Sequence, residues 1–129
     1  MRCTAAKEDF LSGNLNLASN TITIALVSNT YTFSAGHLSR ADVPNTSIIS
    51  TVNLASKSVA NGVFDATDPV FPTVSGNTVT SILIYHNTGT QSTSRLIGFV
   101  DTATGLPLAP AGLDITIQFS NLANKIFTL

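Results

Sequence analysis

The feature that most constrains how this chain can fold is a series of strand-length apolar runs separated by turn residues. The runs lie near residues 20–28, 46–52, 57–65, 69–74, 78–86, 95–101, 113–120 and 124–129. Turn-forming residues stand between several of them, at Asn61-Gly62, Gly76-Asn77, Asn87 to Gly89 and Gly105. About eight strands at this spacing predict an all-β fold, either an antiparallel β-sandwich or a jelly-roll-like barrel.

The pattern within the runs predicts where individual strands lie. "NTITIALVS" alternates apolar residues with Thr and Ala, which indicates one buried face. "TVTSILIYH" has apolar residues on both faces, with Val79, Leu83 and Tyr85 on one and Ile82 and Ile84 on the other. This run is therefore predicted to be a central strand, whereas the regular alternation of "LDITIQFS" predicts a half-solvated one.

A short helix is predicted ahead of the strands. Thr4 is a suitable N-cap for the residues that follow it, and Gly13 is a suitable end. "HLSRADVP" at 37–44 could add one helical turn before Pro44. At 129 residues, we expect a single β domain over 1–129, with a helix or arm over 1–16 and the sandwich over 20–129.

Composition excludes several classes of partner. Six basic and seven acidic residues, with no cluster of Lys or Arg, give no electrostatic footprint for nucleic acid or for an anionic membrane. Only 10% of residues are charged and 43% are hydrophobic, which is typical of a chain that either buries much of its surface or shares it with another chain. The lone Cys3 and the charged start "MRCTAAKEDF" predict synthesis in the cytoplasm.

Residue types that carry chemistry are present but not assembled into a motif. His37 and His86 have no metal-ligand spacing, and Asp65 and Asp68 in "VFDATDPVF" are explained as well by turn capping as by Ca²⁺ binding. No G-x-S-x-G sequence or phosphate-binding loop occurs. We therefore expect no catalytic residues, no metal, no cofactor and no enzymatic activity.

The segment "TATGLPLAPAGLDITIQF" is unusually apolar for a connection. Its prolines restrict the backbone, so it would lose little entropy on docking. Its leucines could either cover an edge of the chain's own sheet or form an exposed interaction surface, and the low charge favours contact with a neighbour. The contact candidates, here and at both chain ends, are Phe10, Leu11, Leu106, Pro107, Leu108, Pro110, Ile126, Phe127 and Leu129.

Three stretches resemble a family of small structural proteins of tailed bacteriophages. They are "FLSGNLNLASNTITIALVSNTYTF", "VANGVFDATDPVFPTVSGNTVTSILIYHNTGTQSTSRLIGFVDTATGLPLAPAGLDITIQF" and the terminal "ANKIFTL". The resemblance covers nearly the whole chain and extends to the order of the motifs. The chain departs from it at Thr23, Thr67, His86 and Asn87, where the family often carries charges; this argues against an ion-binding role.

The resemblance implies a virion component, most often a capsid decoration or cement protein, and a homotrimer is expected. The expected partners are the major capsid protein and further copies of the chain, on the outside of the capsid. A tail or head-tail component is the alternative that the same resemblance leaves open. A receptor- or glycan-binding module is a further alternative, for which Tyr31, Phe33 and Tyr85 with Asn87 are the candidate residues. A depolymerase is not favoured, because no paired carboxylates can be placed at a shared site.

Overall fold

The computed structural model of the protein describes residues 8–9, 11–32, 34, 36–60, 63–100, 108–117 and 127–128. The described residues form an all-β fold in which every strand pairing is antiparallel, as the sequence predicts. The strands are β1 (Ile22–Ser28), β2 (Ile48–Asn53), β3 (Ser58–Ala60), β4 (Val63–Asp65), β5 (Val70–Val74), β6 (Val79–His86), β7 (Leu96–Val100), β8 (Leu113–Thr116) and β9 (Phe127–Thr128). Three 3-10 turns accompany them, at Arg40–Asp42, Asn45–Ser47 and Gln91–Thr93.

Three sheets make up this part of the chain. The largest has the strand order β2-β1-β6-β7, and the predicted central strand β6 indeed lies inside it. A second sheet has the order β3-β4-β9, and β5 pairs with β8 in a third. The predicted run at 57–65 is thus two strands of a hairpin, because the chain reverses between Ala60 and Val63.

One face of the large sheet packs against the two smaller sheets. Ile24 of β1 and Ile84 of β6 belong to the same buried cluster as Phe64 of β4 and Phe71 of β5. Phe64 and Phe71 are 1% and 0% exposed. The arrangement is therefore sandwich-like, with the main hydrophobic core between the large sheet and strands β4 and β5.

The opposite face of the large sheet is also buried. Leu83 of β6 and Phe99 of β7 form a second cluster with Tyr31 and Val43, which come from the connection between β1 and β2. All seven residues of β1 are buried in consequence, so the expectation of one buried face for this strand was wrong. A strand covered on both faces needs small or apolar side chains at every position, and Ala25 meets that need.

A β-bulge changes the face of the sheet on which the Val79 side chain lies. Val27 pairs with Ser81 but Ser28 pairs with Val79, so one residue of β6 is skipped. Val79 therefore joins the cluster of Ile82 and Ile84, not that of Leu83 as strict alternation predicted.

The remaining local predictions have mixed outcomes. The turn predicted at 37–44 is present as the 3-10 turn Arg40–Asp42. Four described residues near the N-terminus, Glu8, Asp9, Leu11 and Ser12, have helical backbone, which is too little to bound the predicted helix. Strand β8 ends at Thr116, earlier than predicted.

Candidate functional site

The predicted contact residues are placed differently from one another. Leu11 is 90% exposed, and Leu108 and Pro110 are half-buried. Phe127 lies in β9, where its backbone pairs with Phe64. The other candidates lie outside the described residues: Phe10, Leu106, Pro107, Ile126 and Leu129.

Leu108 is attached to the chain's own sheet. Its backbone N–H donates to Val79 O, and Val79 N–H donates to Leu108 O, both at 2.8 Å. Its side chain packs against the main core. Of the two alternatives that the sequence left open, self-packing therefore holds for Leu108.

The residues that follow Leu108 form one wall of a groove of about 320 Å³, in which Asp114 and Thr116 lie beside the apolar residues. Leu113 is the most exposed of its large apolar residues, at 70%. Leu113 and Ile115 are two residues apart in β8, so their side chains lie on the same side of the strand. Ile115 packs against the core on that side, and Leu113 lies just beyond the margin of the core. The groove is lined by Leu108, Ala109, Pro110, Ala111, Leu113, Asp114, Ile115 and Thr116.

The groove is held by backbone interactions. Gly112 has a φ of 76°, which favours glycine, and its N–H donates to Val74 O at 2.8 Å. Asp114 Oδ1 accepts a hydrogen bond of 2.9 Å from the backbone N–H of Thr73, at the bulge in β5. These two bonds hold the residues at the start of β8 in place, so this wall of the groove is formed before any partner binds.

A second depression, here called the Arg40 pocket, lies at another place in the fold. It has a volume of about 390 Å³ and is lined by Arg40, Asn45, Ile48, Thr51, Tyr85, Asn87, Gly89, Thr90, Gln91 and Ser94. Arg40 is only 7% exposed and is fixed from the backbone, because its N–H donates to Ser94 O at 2.7 Å. Sequence reasoning missed Arg40, since nothing in "HLSRADVP" indicates that a basic residue there is buried.

The glycan-binding candidates are only partly brought together. Tyr85 and Asn87 both line the Arg40 pocket. Tyr31 instead lies in the second core cluster, where its hydroxyl is hydrogen-bonded to His37 Nδ1 at 2.8 Å. Phe33 lies outside the described residues. Because Tyr85 is only 7% exposed, little of its ring is available for stacking against a sugar.

The titratable residues Asp42 and His86 both lie in hydrogen-bonded parts of the fold. Backbone N–H groups of Leu38 and Ser39 donate to Asp42 Oδ2 at 2.8 and 3.1 Å, and these bonds, helped by the nearby charge of His37, lower the pKa of the Asp42 carboxyl. His86 ends β6, as predicted, with its backbone N–H donating to Arg95 O.

The described side chains that could bind a metal ion lie apart from one another. Asp65 lies in β4 opposite Ser58, and Asp68 lies on the surface before Pro69. Across the described residues, no three His, Cys, Asp or Glu side chains come close enough together to hold a metal ion. The helical segments in the same part of the chain include none that is long and apolar enough to span a membrane.

The sequence matches no protein-family model, and a search of curated proteins gives no significant match.

Proposed function

We propose that this chain is a structural protein of a tailed-bacteriophage virion, most specifically a capsid decoration protein that binds the major capsid protein and stabilises the shell. The proposal combines the resemblance of its motifs with the exposed leucine in the groove on β8. The observation that carries it is Leu113, which is 70% exposed although it lies on the core-facing side of its strand. A leucine in that position is ready to be buried by another chain.

The physical basis of the proposed attachment is hydrophobic. Burying a leucine side chain contributes about 1.5 to 3 kcal/mol, and the half-buried Leu108 and Ile115 extend the same surface. One such contact is weak, but symmetry repeats it around a particle, and a trimer would engage three at once. Stiffness of the segment limits the entropy lost on docking. The chain would then act by cementing neighbouring subunits, without turnover.

The test is binding of the purified chain to shells that lack it, from the phage that encodes it. Leu113→Asp places a charge in the groove, and we expect it to abolish cosedimentation with the shells. Val59→Asp is the matched control, because Val59 is 54% exposed on β3, outside the residues that line the groove. It should bind as the unaltered chain does.

Two results would contradict the proposal. One is equal binding by Leu113→Asp and the unaltered chain, with both shown to be folded by circular dichroism. The other is an unchanged resistance of the shells to heat when the chain is omitted. Attachment to purified tails alone would instead favour the tail or head-tail alternative and would remove the capsid assignment.

A further inference from the structure

The Arg40 pocket has no part in the proposed attachment, and its chemistry indicates a ligand. Arg40 Nη1 donates to Val43 O at 2.8 Å, and Nη2 donates to Asn45 Oδ1 at 2.9 Å. Both acceptors are neutral. The ion pair between described residues is Arg95 with Asp9 at 4.0 Å, so within the described ranges Arg40 has no carboxylate partner.

A cation buried to this degree is costly without a counter-charge. Arg40 is only 7% exposed, and moving a charged group out of water costs free energy unless that charge is paired. A guanidinium carries five N–H donors, of which two are used by Val43 and Asn45. Arg40 is among the residues that line the pocket, so a negatively charged group that enters the pocket can be bound beside it.

The charges that line the pocket indicate the net charge of a ligand that would bind there. Arg40 is the sole charged residue among those that line the pocket. One cation matches the single negative charge of a carboxylate, which the planar guanidinium binds in a two-pronged geometry. A phosphate dianion would leave about one negative charge unbalanced at pH 7.

The remainder of the lining suits hydroxyl groups. The polar part of the lining is formed by Asn45, Asn87, Thr90, Gln91 and Ser94, and Ile48 and Tyr85 supply the apolar part. A site for a protein side chain would be expected to have a more apolar, aromatic centre. The volume of about 390 Å³ falls in the lower part of the range for small-molecule sites.

The wall of the pocket is preorganised. Gln91 Nε2 donates to Asn45 Oδ1 at 3.1 Å, so this oxygen joins Gln91 to Arg40. Ser94 Oγ donates to Thr90 O at 2.8 Å and accepts from the backbone N–H of Thr88 at 3.1 Å. A loop already held in this way loses little entropy when a ligand binds.

We propose that the Arg40 pocket binds an acidic saccharide, with the sugar carboxylate on Arg40 and the sugar hydroxyls on the surrounding amides and hydroxyls. The inference does not depend on the proposed capsid function. It concerns residues that the groove on β8 does not include.

The test is a titration of the full chain with glucuronate, followed by amide chemical shifts in NMR spectra. Glucose, which lacks the carboxylate, and acetate, which lacks the hydroxyls, are the matched ligands. We expect glucuronate to shift the amide signals of Gln91 and Ser94 in a saturable way below about 10 mM, and both matched ligands to bind at least about tenfold more weakly.

Arg40 also holds the backbone at Val43, so its replacement could unfold the chain, and Gln91 is the better site for a variant. Gln91→Glu keeps the shape but adds a negative charge beside Arg40, and it should weaken glucuronate binding about tenfold or more. Ser92→Glu adds the same charge in the same turn, but Ser92 does not line the pocket. It should change the affinity by less than about twofold.

Three results would overturn the inference. They are the absence of saturable shifts with glucuronate, equal affinity for glucose, and equal weakening by Gln91→Glu and Ser92→Glu. Saturable binding of a glutamate-containing peptide without binding of glucuronate would also overturn it, and would indicate a protein partner at this pocket.

Discussion

The large sheet and the β5–β8 pair differ in how completely their faces are covered. Strand β1 is buried at all seven positions, since smaller sheets cover one face and the connection between β1 and β2 covers the other. In β8, by contrast, Leu113 is 70% exposed, and Ile115 is half-buried. The comparison separates a scaffold whose apolar residues stabilise the chain from an edge whose apolar residues are available to another chain.

The largest expected effect lies in the main core. Phe71 is 0% exposed between the sheets, so Phe71→Ala should lower the free energy of unfolding by about 3 to 5 kcal/mol. Urea denaturation followed by circular dichroism measures this. A loss below about 1 kcal/mol would mean that β5 is not packed against the large sheet.

The second face of the large sheet should give a similar or slightly smaller effect. Leu83→Ala removes a fully buried side chain beneath Tyr31 and Val43, and should cost about 2 to 5 kcal/mol in the same denaturation experiment. A loss typical of a surface position would show that the 29–47 connection leaves this face open to water.

A smaller, pH-dependent effect is expected at Asp42, beside that connection. The pKa of Asp42 is lowered in the folded chain, so its ionised form contributes stability above the pKa of the unfolded chain. That contribution is lost as the pH falls through the folded pKa. Asp42→Asn should therefore lower the Tm at pH 7, and the difference should vanish in acid; because the exposed carboxyl is screened by water, the decrease should correspond to well under about 1 kcal/mol. A Tm difference that persists unchanged at low pH would contradict this explanation.

The smallest effect belongs to the exposed edge. Leu113→Ala should change the free energy of unfolding of the isolated chain by less than about 0.5 kcal/mol, because its side chain is mostly in water. The comparison with Phe71→Ala would fail if both variants lost similar stability. Leu113 would then belong to the core and would not be available to a partner.

Sequence patterns predicted the parts of the fold that depend on period and turn chemistry. The alternation of apolar and polar residues predicted the all-β class, and apolar residues on both faces predicted the central place of β6. The geometry of proline predicted the turn before Pro44. The facing of Val79 could not be predicted, because a bulge arises from how two strands pair and not from one strand's own pattern.

The candidate sites were less accessible to sequence reasoning. Leu108 and Leu113 are both leucines of the same apolar segment, yet the first packs against the core beside Val79 and the second stays exposed. Arg40 is buried because its segment pairs with residues 94–96, a contact between positions more than fifty residues apart. Thr23 and Asn87, where the chain departs from the phage-protein pattern, hydrogen-bond each other at 3.1 Å, which only the tertiary structure shows.

The most direct test of the central claim, that the chain acts by apolar adhesion through the edge at β8, is a high-resolution electron-microscopy map of the particle. We predict density for the chain on the outer surface of the head, with Leu113 buried against a neighbouring chain. Density for the chain with Leu113 facing solvent, or a head that carries no such density, would contradict the account.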